Sequence, residues 1–346
     1  MAVLLQPVAE AERARLSARR GLWPACAAVV VALGLAACTG SPKQPSTVGS
    51  DSRVTGAGTT SPTTSATAST TTPITTTSVP ATTAVPARPR VDKVLVFVVE
   101  NHSAGQMSAQ MPYAAGLGRR YAVATAYTAV THPSLPNYLA MVAGSTYGIR
   151  DDDGPARHRL NGASVFGLAL TQGRTAAVYA EGMATHCQLA PAGRYAVKHN
   201  PWAYFVDERA ACRRFDQPLT ALPAAITAGT LPSVGMVVPD LCHDAHDCSL
   251  DRADQWFAGW MRRVQAGPDW KAGRLLVVLT ADEDDHHAGN RVLTVLAHPD
   301  LHQQRVGAAL DHYALARLLA EAAGAPAPGK AKSSPSISDA LGLRVR

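Results

Sequence analysis

The sequence predicts an α/β domain with a mainly parallel central sheet and helices on both faces. Three observations point to it. Continuous apolar, β-branched runs recur between residues 91 and 324, which is the pattern of strands buried on both sides. Segments with helical periodicity separate them, as parallel crossovers require. Acidic, amide and hydroxyl residues then gather just past the ends of the runs, where open parallel sheets bind their ligands.

In chain order, Lys93–Glu100 (KVLVFVVE) is the first strand and Leu135–Ala143 the first helix. The Ser164–Gln172 helix leads into the Ala176–Tyr179 strand, and the Leu219–Ala228 helix into Val234–Val238. The Ala253–Val264 helix precedes the Leu275–Thr280 strand; Val292–Ala297 reads as a fifth strand and Asp311–Ala323 as the last helix.

The chain before this region has another character. Arg13, Arg15, Arg19 and Arg20 precede an apolar run from Gly21 to Ala37 that ends in Leu35-Ala36-Ala37-Cys38. A basic start, an apolar stretch and a small-residue cleavage site make a secretory signal. The run contains Pro24 and is marginal for crossing a bilayer. The Leu-Ala-Ala-Cys sequence resembles a bacterial lipoprotein box, which implies cleavage before Cys38 and lipid attachment to it. The expectation is an exported protein that partners the membrane through this anchor, or a secreted one if the signal is a plain peptide. Residues 38–90 are rich in Ser, Thr and Pro and read as a disordered tether. Residues 325–346 read as a basic, flexible tail.

The net charge of +6 separates along the same boundaries. Residues 1–90 hold 8 Lys/Arg against 3 Asp/Glu, and residues 325–346 hold 4 against 1, so 91–324 carries a net −2. A nucleic-acid partner is therefore not expected.

Two strands run into hard-metal ligands: Glu100-Asn101 after the first, and Asp282-Glu283-Asp284-Asp285 after Leu275–Thr280. Carboxylate and amide oxygens suit a hard divalent cation, although a solvated acidic loop has the same composition. Between them, Thr131-His132-Pro133-Ser134-Leu135-Pro136-Asn137-Tyr138 places a serine at a helix start, where anions are favoured. Ser134 is equally a candidate N-cap. A Ser–His–carboxylate triad is a further option, but no Gly-x-Ser-x-Gly elbow surrounds Ser134.

Together with Asp240-Leu-Cys-His-Asp-Ala-His-Asp-Cys248, these segments resemble, in matching order, the bacterial and fungal phosphoesterase family. That family contains secreted acid phosphatases and phospholipases C and lies in the alkaline-phosphatase-like superfamily. The resemblance runs from about Val91 to Gly324. It implies an alkaline-phosphatase-like fold, Ser134 as the nucleophile of a phosphoserine intermediate, and a metal held by Glu100, Asn101, Asp282 and Glu283. The ion is Mg, Ca, Mn or Zn. His132, Asn137, His199, Asp244 and His246 are the candidates for substrate contact, with Asp244 and His246 also candidates for orienting the site. His312, which opens the last helix, is divided evenly between a site role and a structural one. His286 and His287 read as exposed loop residues.

With Cys26 in the signal and Cys38 at the lipid anchor set aside, the remaining four of the six cysteines, Cys187, Cys212, Cys242 and Cys248, allow three pairings. The pairs nearest in sequence, Cys187–Cys212 and Cys242–Cys248, are also those that the resemblance implies. A zinc site is the alternative, disfavoured by export.

The resulting expectation is a metal-dependent, acid-phosphatase-like phosphomonoesterase acting on small phosphate esters at acidic or neutral pH. A phosphodiesterase or phospholipase C is one alternative; a non-catalytic envelope lipoprotein of the same fold is the other. Phospholipase members tend to carry Asp-His-Val after the acidic motif, whereas this chain has Gly289-Asn290-Arg291-Val292, which favours the phosphatase branch.

Overall fold

The computed structural model describes residues 88–345. The leader, Cys38 and the tether up to residue 87 lie outside the described residues. In chain order the strands are β1 (Arg90–Val91), β2 (Lys93–Val99), β3 (Ala122–Ala124), β4 (Tyr127–Thr128), β5 (Ala176–Ala180), β6 (Asp216–Pro218), β7 (Val234–Val238), β8 (Leu275–Ala281), β9 (Thr294–Ala297), β10 (Gln304–Val306), β11 (Leu310–Asp311) and β12 (Arg344–Val345). The α-helices are α1 (Ala104–Gln110), α2 (Pro112–Arg120), α3 (Ser134–Ala143), α4 (Val165–Thr171), α5 (Arg209–Phe215), α6 (Leu222–Ala228), α7 (Leu250–Ala266), α8 (Pro268–Lys271), α9 (His312–Ala323) and α10 (Ile337–Ala340).

One sheet organises the domain, in the order β10-β3-β9-β8-β2-β7-β5-β6. Every neighbour pair is parallel except the two made by β9, which runs against both β8 and β3. The mainly parallel sheet is thus as predicted, and the fifth apolar run, shortened to Thr294–Ala297, supplies the reversed strand. All residues of β2 and β8 are buried, which explains why their sequences show no polar alternation.

Helices cover the sheet in two groups. On one side α3, α4 and α9 pack together; on the other α7 gathers α1, α2 and α6. Helix α7 buries Leu250, Ala253, Phe257, Met261 and Val264, the stripe that a helical repeat produces, and Phe257 meets Phe97 of β2 edge-on at 5.2 Å. Ser249 caps it by accepting the Arg252 amide. Helix α3 is buried at all ten positions, Ser134 and Asn137 among them, so it is enclosed by other elements rather than lying on a surface.

The structure corrects the expectation of a flexible C-terminal tail. Residues 325–345 pack against the domain: Ala331, Ile337, Leu341 and Leu343 are buried, and β12 pairs in parallel with β1. The junction is close. Gly144 ends α3 at a φ of 62°, and a Cβ there would lie 2.3 Å from the Pro328 carbonyl oxygen, so only glycine fits. The Gly144 carbonyl in turn accepts the Lys330 amide at 2.8 Å. The basic residues that suggested flexibility lie outside the segment's apolar positions, which anchor it. Strands β3, β6 and β10 have three residues each, too few for a readable period, and helices α1, α2 and α5, of seven to nine residues, span two turns or little more and show no sustained apolar repeat.

At the amino end of β2, Lys93 forms a buried ion pair. Its Nζ donates to Asp269 Oδ1 at 2.7 Å and to the Gly229 carbonyl at 2.9 Å, while Asp269 Oδ2 accepts the Leu231 amide. Removing one partner strands the other charge in the interior. Asp269→Ala is expected to cost about 3–5 kcal/mol, read as a fall in the urea midpoint with an unchanged slope.

Candidate active site

The chemistry gathers at the carboxyl end of the central strands. β2 and β8 pair in register from Lys93↔Leu275 to Val99↔Ala281, so the residues that follow, Glu100 and Asp282, emerge side by side. The Asp282 amide donates to the Val99 carbonyl at 3.0 Å, extending the ladder by one step. Asn101 turns away at a φ of 54°, a conformation asparagine tolerates, and its amide donates to Asp282 Oδ1 at 3.1 Å.

Ser134 is the first residue of α3 and is buried. Its Oγ donates to Glu100 Oε2 at 3.0 Å. One turn later on the same helix, the Tyr138 hydroxyl donates to the other Glu100 oxygen. His199, from a 3₁₀ turn, completes the surroundings. Its Nε2 lies 3.1 Å from Glu100 Oε2, its Nδ1 lies 3.2 Å from Asp244 Oδ2, and its ring stacks on Tyr138. Tyr138 was not singled out from sequence; its signal was its place four residues after Ser134, on the same helical face.

The other predicted residues divide by role. Asp244 sits in the small ring closed by Cys242–Cys248, and its carbonyl accepts the Glu100 amide at 2.7 Å. The Cys187–Cys212 bond is also formed, so both expected disulfides are present. His132 lies at the rim, with Nδ1 3.0 Å from Glu283 and Nε2 3.3 Å from Asp284; its ring stacks on His286 at 3.8 Å. His246 is at the rim too, 6.1 Å from His199 between ring centres.

Asn137 requires a correction. It is fully buried: its Oδ1 accepts the Val130 and Thr131 amides, and its Nδ2 donates to the Thr131 and Pro133 carbonyls and to Glu283. It pins the loop before Ser134, leaving no atom for substrate. Asp284 is likewise taken up by its own loop, accepting the amides of His286, Ala288 and Asn290. His312 resolves as structural. Buried at the head of α9, its Nε2 lies 2.6 Å from the Asp282 carbonyl and its Nδ1 3.1 Å from the Tyr127 hydroxyl.

The phosphoesterase family profile matches residues 91–312. The chain belongs to the phosphoesterase family. A phosphatidylinositol-3-phosphatase of Mycobacterium tuberculosis is 31% identical over 266 residues, covering 75% of this chain and 86% of that protein. An acid phosphatase of Aspergillus fumigatus is 28% identical, covering 50% of this chain and 40% of its own length. A phosphate-repressible acid phosphatase of Penicillium chrysogenum is 27% identical, covering 60% and 53%. This chain therefore spans about half the length of these fungal relatives. Among solved structures, a protein of the alkaline phosphatase superfamily from Vibrio parahaemolyticus superposes with a TM-score of 0.51 at 11% identity, covering 74% of this chain and 72% of its own. A 2-O GAG sulfatase gives 0.50 at 11%, covering 73% and 74%. The fold is that of the alkaline phosphatase superfamily, and the protein is a hydrolase of phosphoric esters.

The electrostatics of the phosphoesterase site are those of crowded anions. Burial pushes Glu100 towards protonation, but the His199 charge and the hydrogen bonds of His199 and Tyr138 win, holding it near 2. Burial opposes charge on His199, yet Glu100 and Asp244 raise it to about 9. Asp282 stands well above its ordinary value because it is buried and faces Glu100 and Glu283. Burial, with Glu100 and Asp152 nearby, raises Glu283 to about 8. Burial lowers His312 to about 4, so it stays neutral.

Two buried oxygens of this cluster have no hydrogen-bond partner, Asn101 Oδ1 and Asp282 Oδ2, whereas Asp244 Oδ2 faces His199 Nδ1. Unpaired buried acceptors next to mutually repelling carboxylates fit a divalent cation. The oxygens of Glu100, Asn101 and Asp282 could supply hard donors, and ligand atoms of Glu100, His199 and Asp244 lie within 4.8 Å of one another. Glu283 is engaged by Asn137 and His132 and stands at the edge of this set.

The raised Asp282 value has a sign. Its proton is held more tightly in the folded state, so its contribution to stability is present below its ordinary value of 3.8 and is lost as pH rises. In EDTA, Asp282→Asn is expected to raise Tm at pH 8 by several degrees, at about 2–4 °C per kcal/mol for a domain of this size, and the gain should vanish towards pH 4. Differential scanning fluorimetry across pH checks both points.

Proposed function

We propose that this phosphoesterase is an exported, metal-dependent phosphomonoesterase that works through a phosphoserine on Ser134 and is held at the membrane by lipid on Cys38. One observation carries the reading. The Ser134 hydroxyl, at the N-terminus of a ten-residue helix, donates to an ionised Glu100 while Asn101 Oδ1 and Asp282 Oδ2 stand unpaired beside it. A divalent cation held by Glu100, Asn101 and Asp282, with Glu283 at its edge, would lower the serine pKa and neutralise phosphoryl charge. The oxygen donors suit Mg, Ca or Mn, and His199 adds the nitrogen that Zn also uses.

Ser134 Oγ forms a bond to phosphorus as the bond to the ester alcohol breaks, and the alcohol leaves with a proton. Water then attacks phosphorus, releasing inorganic phosphate and restoring the serine hydroxyl. Positioning and positive charge do most of the work in such a transfer. The Ser134 amide at the α3 N-terminus and the rim histidines His132 and His246 supply donors towards the phosphoryl oxygens, the Leu135 amide being taken by Asp152. Tyr138 and His199 hold Glu100 ionised and fixed, and Asn137 holds the loop that carries the nucleophile.

The names of the relatives, phosphatidylinositol-3-phosphatase and acid phosphatase, support a phosphate monoester as substrate. Both disulfides accord with an oxidising, exported location. The leader and Cys38 support the anchor.

Ser134→Ala is expected to lower 4-nitrophenyl phosphate turnover by at least about 10³-fold while the protein stays folded by circular dichroism. The wild type should lose activity in EDTA and regain it with one of the four divalent ions. Activity retained by Ser134→Ala would overturn the nucleophile; activity indifferent to EDTA would overturn the metal. Cys38→Ala should move the activity from the membrane fraction to the soluble one on cell fractionation, and unchanged partitioning would refute the anchor.

A further inference from the structure

The floor of the site is closed to solvent, and the side chains at its mouth are His132, Asp152, Lys198 and His246, each about one-fifth to one-third exposed. Lys198 is the permanent cation of this group. Its ammonium donates to Asp152 Oδ2 at 2.9 Å, and Asp152 Oδ1 accepts the Leu135 amide, also at 2.9 Å. One carboxylate therefore ties Lys198 to the peptide group directly after Ser134. The pair is built rather than incidental: Asp152 caps the nucleophile helix, and the tie spans three chain segments far apart in sequence. An ammonium has three donors, so Asp152 leaves donors for an incoming anion.

Lys198 also directly precedes His199, whose Nε2 lies 3.1 Å from Glu100 Oε2, the oxygen that accepts the Ser134 hydroxyl. Lys198 is thus tied to the surroundings of Ser134 twice, through its chain neighbour and through Asp152. A group there feels how much negative charge the substrate brings. A phosphate monoester carries close to two charges at neutral pH, whereas a diester carries one.

We propose that Lys198, positioned by Asp152, binds the phosphoryl group of the substrate and makes the site selective for dianionic phosphate monoesters over monoanionic diesters. This rests on the Ser134 phosphomonoesterase reading and adds to it the residue that sets the substrate class. An ammonium beside a water-excluded floor strengthens with each unit of charge it meets, so its removal penalises the dianion more than the monoanion. Arginine keeps the charge at this position, while methionine keeps the length and volume without it.

The test uses the full-length protein with the metal that supports wild-type activity. Values of kcat/KM are measured for 4-nitrophenyl phosphate and methyl 4-nitrophenyl phosphate in wild type, Lys198→Met, Lys198→Arg and Asp152→Asn. Inhibition constants for inorganic phosphate and dimethyl phosphate give the same comparison independently of turnover. Lys198→Met is expected to lose about 10–100-fold on the monoester, the scale of one charged hydrogen bond, and less than about 3-fold on the diester. Lys198→Arg should restore most of the ratio, and Asp152→Asn should shift it the same way by a smaller factor. A merely structural lysine would lower both substrates alike. Equal losses, or a ratio that does not move, overturn this inference while leaving the Ser134 reading intact. A wild type that hydrolyses neither ester overturns that reading, and this inference with it.

Discussion

The in-register pairing of β2 with β8 delivers Glu100 and Asp282 side by side at the end of two fully buried strands, and the rest of the site answers that juxtaposition. Two carboxylates cannot both ionise out of water without compensation. Some of it is visible. Ser134, Tyr138 and His199 all turn polar atoms towards Glu100, and the Asn101 amide serves Asp282. The remainder is visible as a deficit, in the unpaired Asn101 and Asp282 oxygens.

This division explains why α3 is so thoroughly buried. A serine that is to act at one fixed point must be carried on an element that cannot shift, and α3 is held on all sides. The C-terminal segment closes over its far end at Gly144, Asn137 fixes the loop before it, and Asp152 caps its first turn. Rigid support of this kind places a reacting group within the tolerance that catalysis requires. The destabilising part of the domain, its buried anions, is thereby held in place by a helix buried along its whole length. Proteins commonly break local rules at functional sites and make up the loss elsewhere.

Much of this was legible in the chain. The long apolar runs became β2, β5, β7 and β8 because burial on both faces leaves a signal that needs no partner to be read. Ser134, Glu100, Asn101 and Asp282 converge because each follows a strong element boundary. What escaped was short or relational. Tyr138 reads as an ordinary apolar helix residue, and Asp152 as one of three aspartates in a loop. The net charge of the tail carries no sign of its packing, which rests on the buried Ile337, Leu341 and Leu343. Asn137 was assigned to substrate from its neighbourhood, whereas its hydrogen bonds are all spent inward.

Sequence by itself therefore determined the fold class, the family and the residue types that carry the chemistry, because periodicity and motif order are properties of neighbours along the chain. Tertiary structure alone decided which side chains face one another. It set Glu100 against Ser134, His199 between two carboxylates, His312 against a carbonyl and Lys198 over the mouth of the site. Those relations depend on strand register and on the angles at which segments far apart in sequence meet, and no local pattern encodes either.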